Sequence, residues 1–254
     1  MISRRNLLLG GAAAGLSGCT LLDGLNSGDS SLRAMMQGIE GLTMAAQRLV
    51  LGNSLAPEFS ESDIRQGQHP NGSVAVDTPE YLDLQAGGFA GYSLAVTGLV
   101  EKPLSISYAS LMAMPSRTQI TRHDCVEGWS CIAKWQGVPL SGILDMAKPL
   151  LNARYAVFQC FDVIERTLAG EVTYYESIDM VDARHPQTIL AYALNDKALP
   201  MANGAPLRLR VERQLGYKMA KYVKSIELVD SYAGYGDGRG SYWADRGYEW
   251  YAGI

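Results

Sequence analysis

The chain has 254 residues, 47% apolar and 19% charged. That suits one globular domain of generous size, or at most two small ones, and excludes disordered, collagen-like and coiled-coil chains. A formal charge of −4 with no run of Lys or Arg leaves no electrostatic footprint for nucleic acid. Cys19, Cys125, Cys131 and Cys160 lack CxxC spacing and His69, His123 and His185 lie far apart, so a zinc-finger pattern is absent.

The chain opens Ser3-Arg4-Arg5-Asn6-Leu7-Leu8, followed by an apolar run softened by Gly and Ala from Leu7 to Gly18. As a helix that run would cover about 18 Å at roughly 1.5 Å per residue, short of the ~30 Å hydrocarbon core. It therefore reads as an export signal rather than a membrane span. The paired arginines resemble a twin-arginine (Tat) signal, and Leu16-Ser17-Gly18-Cys19 resembles a lipobox, which implies lipidation of Cys19. The expected product is exported by the Tat pathway to the periplasmic side and touches a membrane only through its N-terminal lipid. Removing residues 1–18 takes away Arg4 and Arg5 and leaves 236 residues with a formal charge of −6. With Cys19 lipidated, three thiols remain in an oxidising compartment, so at least one should have another occupation.

Residues 19–31, rich in Gly, Ser, Asn and Asp, read as a tether. Over 32–51, Leu32, Met35, Met36, Ile39, Leu42, Ala46, Leu49 and Val50 recur at three- and four-residue steps, which predicts an amphipathic helix. Residues 52–90 show little periodicity and are expected to be a long irregular segment. Strands are expected at Tyr92–Val96, Thr118–Cys125, Arg154–Cys160, Thr188–Leu194, Leu207–Val211 and Val223–Val229, with a hairpin turn at Asn195-Asp196. Short helices are expected after a Ser107 cap up to Pro115, from Pro139 to Ala147, and over Ser177–Ala183. The Gly234-Tyr235-Gly236-Asp237-Gly238 cluster reads as a flexible turn, and residues 244–254 as an aromatic tail. Strands and helices alternate without a βαβ period, so the class is α+β and β-rich, with one domain over 52–243.

GxGxxG, Walker, GxSxG and HExxH patterns are absent. The informative stretch is His123-Asp124-Cys125-Val126-Glu127-Gly128-Trp129-Ser130, continuing through Trp135-Gln136-Gly137-Val138-Pro139-Leu140. It sets a cysteine at a strand end beside aromatics and a glycine, where backbone can approach a bulky ligand. Here the sequence resembles the oxidoreductase molybdopterin-binding family, the sulfite-oxidase fold, and within it the branch typified by the catalytic subunit of periplasmic methionine-sulfoxide reductase. The resemblance runs from about Leu55 to Trp243. Its parts arrive in order: Tyr92-Ser93-Leu94 to Val100 with Pro103, the cysteine segment, Leu190-Ala191-Tyr192 to Pro200, Asn203-Gly204-Ala205-Pro206-Leu207-Arg208, and Gly216-Tyr217-Lys218 to Lys221.

The resemblance implies a molybdenum-molybdopterin cofactor with Cys125 as the protein ligand to the metal, a role that suits a soft thiolate donor. It also implies cofactor contacts from Asn203 and Arg208, the latter suited to bidentate phosphate binding, and from Met219, Ala220 and Lys221. Gln66, His69 and Pro70 align with residues that wrap the pterin. Cys160 falls where the family commonly has a Thr, a departure, because a thiol is the weaker donor. Cys131 and Cys160 read as buried thiols. The implied reaction is two-electron oxygen-atom transfer. Sulfite-oxidising relatives place arginines just after the ligating cysteine, whereas Glu127 and Trp129 follow here, so a small neutral S-oxide or N-oxide is the expected substrate. Glu127 and Trp129 are the candidate substrate contacts, with packing of Trp129 under the cofactor as the alternative, and Arg117 or Arg122 could still face the pocket. A sulfite-type dehydrogenase and a non-catalytic lipoprotein that retains the fold are the rival readings. With no CxxCH for haem, electrons are expected from a separate membrane haem or quinol-linked donor. Without the dimerisation domain of sulfite oxidases, the chain is expected to be a monomer.

Overall fold

The structure is a computed structural model that describes residues 30–168 and 170–254, with side chains from Gly38 onward. The expected signal, Cys19 and most of the tether lie outside the described residues. The chain divides into two units, Met1–Gly52 and Asn53–Ile254. In the first, helix α1 (Ser30–Leu51) starts two residues before its expected position and leaves Ile39, Leu42, Leu49 and Val50 exposed. Among the described residues no helix is long and apolar enough to cross a membrane.

The second unit is an α+β body built on two sheets. One has the order β2 (Leu104–Ser107), β1 (Ser93–Gly98), β10 (Val223–Val229), β5 (Tyr155–Thr167), β6 (Gly170–Asp179). Its pairs are antiparallel except β1 with β10, which run parallel with Ala95 opposite Ser225. The other has the order β3 (Arg117–Asp124), β4 (Ser130–Pro139), β7 (Ile189–Leu194), β8 (Lys197–Ala198), and β9 (Arg208–Arg210) also pairs with β7. Asn195 and Asp196 both take positive φ, 50° and 62°, as a two-residue hairpin turn between β7 and β8 requires. The main core gathers Leu94 and Val96 of β1, Phe158 of β5, Ile226 of β10 and Leu209 of β9 with helical residues. The helices are α2 (Pro79–Ala86), α3 (Tyr108–Ala113), α4 (Leu140–Ala147) and α5 (Met180–Ala183). Ser107 caps α3 by accepting the Ser110 amide at 3.2 Å.

Three expectations are corrected. The segment 52–90 contains α2, opened by Pro79 at its first position and pinned by the fully buried Tyr81, whose hydroxyl donates to Ala205 O at 2.7 Å. Ser177–Asp179 belong to β6 rather than to a helix, which covers only Met180–Ala183. The Gly234–Gly238 turn and residues 244–254 are fixed to the body. Asp245 accepts from the Tyr175 hydroxyl (2.6 Å) and the Asp237 amide (3.1 Å), and the Ile254 amide donates to Arg213 O at 3.0 Å.

Candidate active site

Strand β3 delivers Cys125 into a tight turn closed by Cys125 N to Trp129 O (2.9 Å) and Gly128 N to Cys125 O (3.0 Å), with Gly128 at φ +87°. Cys125 is 9% exposed and lines a cavity of about 230 Å³ together with Val126 and Glu127. Burial pushes its thiol upward from the ordinary cysteine value. Glu127 is held by Trp129, whose Nε1 donates to Oε2 at 2.9 Å. The Trp129 ring stands outside the cavity lining, packed between His69 and His123 at centroid distances of 4.8 and 5.5 Å.

The cavity is also lined by Asn71, Gly72, Ser73, Asp162 and Lys221. Lys221 Nζ donates to Ser73 O and, at 2.9 Å, to Ala202 O. Ser73 Oγ donates to Asp162 Oδ2 at 2.6 Å, while Asp162 Oδ1 is buried without a partner. Behind Asn71, Arg208 donates to Asn71 Oδ1 (2.8 Å) and Asn203 O (3.2 Å). Arg208 Nε and Asn203 Nδ2 are buried and unpartnered, and buried polar groups normally have partners. Burial, then the nearby Arg210, lowers the Arg208 guanidinium to about 9, and burial, then Arg208, lowers Lys221 to about 7. An anion placed among these donors would offset their desolvation cost with its charge. Gly204, at φ +111°, allows the approach, since a Cβ there would meet Lys221 Cβ at 2.8 Å.

A buried polar row adjoins the lining through His123, which lies against Gly216 and Met219. Alternation along β9 puts Arg208 and Arg210 on one face, 5.2 and 4.3 Å from the Trp135 ring centroid. Arg210 is neutralised by Glu212, at 2.9 Å from Nε and 2.6 Å from Nη2, and Gln119 adds a bond to Glu212 at 2.8 Å. Arg210 Nη1 lies 2.9 Å from His123 Nδ1. Because Arg only donates, Nδ1 accepts and the ring proton sits on Nε2. Burial, then Arg208, Arg210 and Lys221, holds His123 well below the usual histidine range. Gly216, on the cavity wall, fits against this ring, for a Cβ there would lie 2.3 Å from His123 Cε1.

Of the residues singled out from sequence, Cys125, Glu127, Met219 and Lys221 line the cavity, and Asn203 and Arg208 back it. Gln66 is exposed, while His69 and Pro70 lead into the Asn71–Ser73 wall without lining it themselves. Cys160 and Ala220 lie in the main core rather than in the lining. Arg117 bonds Glu58 and Gln119, and Arg122 bonds Asp124, so neither faces the cavity. Cys125, Cys131 and Cys160 are all buried free thiols. Asn71, Ser73, Asp162, Tyr174, Trp243 and Tyr248 were not expected in the lining. Asn71 directly follows the His69-Pro70 pair that the sequence flagged. A larger groove of about 670 Å³ between α2 and β1 holds no thiol or histidine, and its Lys224 pairs with Glu80. Its residues offer little for chemistry beside the Cys125 cavity. Among the described residues no group of three or more His, Cys, Asp or Glu could hold a metal ion, so a metal at Cys125 would take its other donors from outside the chain.

Residues 81–234 match the family model described as the oxidoreductase molybdopterin binding domain. A protein of Azospira oryzae named "Putative protein-methionine-sulfoxide reductase subunit YedZ1" is 35% identical over 251 residues, covering 98% of this chain and 86% of that protein. The protein-methionine-sulfoxide reductase catalytic subunit MsrP of Campylobacter jejuni is 34% identical over 147 residues, 54% of this chain and 49% of that one. The crystal structure of the sulfane dehydrogenase SoxCD from Paracoccus pantotrophus superposes with a TM-score of 0.50 at 24% identity over 56% of this chain and 39% of that one, a likeness of fold.

Proposed function

The chain belongs to the oxidoreductase molybdopterin-binding domain family and is an oxidoreductase with a molybdenum-molybdopterin cofactor, and from that premise we propose that Cys125 ligates the molybdenum and that the substrate is a small neutral S-oxide or N-oxide. The observation that carries this reading is that a buried thiol shares one cavity with Lys221, and that Arg208 and Asn203, each with an unpartnered buried donor, back the Asn71 wall of the same cavity. Arg208, Asn203 and Lys221 would hold the cofactor's phosphate, and Asn71, Ser73 and Asp162 offer acceptors and donors to its pterin. When bound, molybdenum-molybdopterin supplies two-electron oxygen-atom transfer, in which an S-oxide loses its oxygen as water and takes up two electrons and two protons.

The chain's own residues orient and select. Trp129 fixes the Glu127 carboxylate beside the thiol, and Glu127 would carry a proton at Oε1 to the departing substrate oxygen. With Arg117 and Arg122 turned away and an acid next to Cys125, an anion such as sulfite is disfavoured. The name of the Campylobacter relative, a catalytic subunit, supports a separate membrane haem or quinol-linked donor. The Arg4-Arg5 pair and the Cys19 lipobox support Tat export and lipid anchoring on the periplasmic side.

The test is turnover of the full chain, expressed with its own N-terminal segment. Reduced viologen should be oxidised in the presence of methionine sulfoxide, dimethyl sulfoxide or an N-oxide, and sulfite should not be consumed. Correctly exported protein without molybdenum, or turnover of sulfite alone, would sink the reading.

A further inference from the structure

We propose that the C-terminal turn carrying Trp243 and Tyr248 is the substrate-selecting wall of the Cys125 cavity, a subsite for the apolar substituent of a neutral sulfoxide, such as an aryl methyl sulfoxide or the side chain of an oxidised methionine. The inference rests on the proposed reduction of sulfoxides and specifies which ones the site prefers.

Both rings line the cavity that holds Cys125 and Glu127, and both lie beyond residues 81–234, the part shared with the family model. They form a continuous array: Trp243 to Tyr248 at 5.2 Å, Tyr248 to Tyr217 at 5.3 Å, and Trp243 to Tyr242 at 5.1 Å between centroids. A short 3-10 turn, Ala244–Arg246, brings the two together, with the Tyr248 amide donating to Trp243 O at 3.1 Å. That turn is clamped to the body. Arg246 bonds Glu165 Oε1 at 2.6 and 2.9 Å and lies 3.6 Å from the Tyr242 ring centroid, and the Tyr242 hydroxyl reaches Glu165 Oε1 at 2.7 Å. Tyr217 adds a hydroxyl bond to Glu249 O at 2.9 Å. A clamped aromatic surface therefore forms part of the wall of the cavity that Cys125 lines, and Tyr248 is 39% exposed and Trp243 partly so.

The chemistry of this wall fits one kind of substituent. Aromatic faces gain from apolar and sulfur-bearing groups and supply no counter-charge for an anion. The charged groups on the lining are Glu127, next but one to the thiol in the chain, Asp162, and Lys221, whose Nζ is bound to two carbonyls. A sulfoxide whose polar oxygen points to the thiol end would lay its apolar group on Trp243 and Tyr248. Each buried methylene is worth roughly fourfold in affinity, so an aryl or longer alkyl group should gain tenfold or more over the methyl group of dimethyl sulfoxide.

The experiment compares kcat/KM of the cofactor-loaded enzyme for methyl p-tolyl sulfoxide and dimethyl sulfoxide, and measures binding of the unreactive methyl p-tolyl sulfone by calorimetry. In Tyr248→Ser and Trp243→Leu the preference for the aryl sulfoxide should fall about tenfold, through KM, and the sulfone should bind about tenfold more weakly. Tyr248→Phe should keep both. If Trp243→Leu does not fold, Tyr248→Ser, at a partly exposed position, carries the test alone. An unchanged preference and unchanged sulfone binding in an active Tyr248→Ser enzyme would overturn the inference. A wild-type enzyme that reduces no sulfoxide would instead overturn the proposed function.

Discussion

Replacing Arg208 by lysine keeps a positive charge and removes the fork. The native guanidinium is 1% exposed, donates to Asn71 Oδ1 at 2.8 Å and Asn203 O at 3.2 Å, and leaves Nε without a partner in the protein. A lysine at this position offers one nitrogen where three stood, so it cannot serve Asn71, Asn203 and an anion in one plane. One or two charge-assisted hydrogen bonds to the cofactor are lost, each worth about 1.5–3 kcal/mol. With 1.4 kcal/mol per factor of ten, cofactor affinity should fall about tenfold for one weak bond and up to about ten-thousandfold for two strong ones. The assay is molybdenum by elemental analysis and pterin by fluorescence after oxidation, both per mole of protein, across a dialysis series. Thermal melting of cofactor-free protein serves as the folding control, where a loss of about 1 kcal/mol is expected from the weakened bond to Asn71. Wild-type cofactor content in Arg208→Lys throughout the series would refute the reasoning and reduce Arg208 to a packing partner of Trp135.

Two further outcomes follow from the geometry. In Gly216→Ala the new methyl would meet the fully buried His123 ring at 2.3 Å, so the wall must shift, at an overpacking cost of about 1–3 kcal/mol in chemical denaturation and with a visible loss of bound cofactor. Lys221 sits at about 7 when folded, against an ordinary value of 10.5, through burial and Arg208. The depressed folded value gives a stability contribution that is present above pH 10.5 and lost as pH falls through 7. Cofactor-free protein should therefore gain stability from pH 7 to pH 10.5, and Lys221→Met should flatten that slope while lowering cofactor retention. An unchanged slope in the variant would assign the effect to another group.

Much of this body is legible in the sequence because its strands alternate apolar and polar residues and its helices carry ordinary caps. The Ser107 cap, the Asn195-Asp196 turn and the strands over 155–160 and 223–229 fall where local rules put them. Strand β6 escaped because it buries polar residues: Glu176 and Ser177 are both fully buried, the first in an ion pair with Lys218, so its alternation is masked. Helix α2 escaped because only Tyr81 of its eight residues is buried. The cysteine end of the site was legible from the Cys125-Val126-Glu127-Gly128-Trp129 run. The far end was not, since Asn71, Ser73 and Asp162 gain their meaning only from neighbours more than fifty residues away in the chain, as in the Ser73 to Asp162 bond. Tyr248 was visible as a tail aromatic, but the turn that brings it beside Trp243 in the cavity wall is held by Glu165 across the fold.

The central claim is that Cys125 is the protein ligand to molybdenum, and X-ray absorption at the molybdenum edge tests it on the full chain loaded with cofactor. Wild-type protein should show one thiolate sulfur beyond those the molybdopterin itself supplies, and Cys125→Ser should lose that sulfur while retaining molybdenum and a folded body. A Cys125→Ser spectrum with the same sulfur shell as wild type would contradict the assignment.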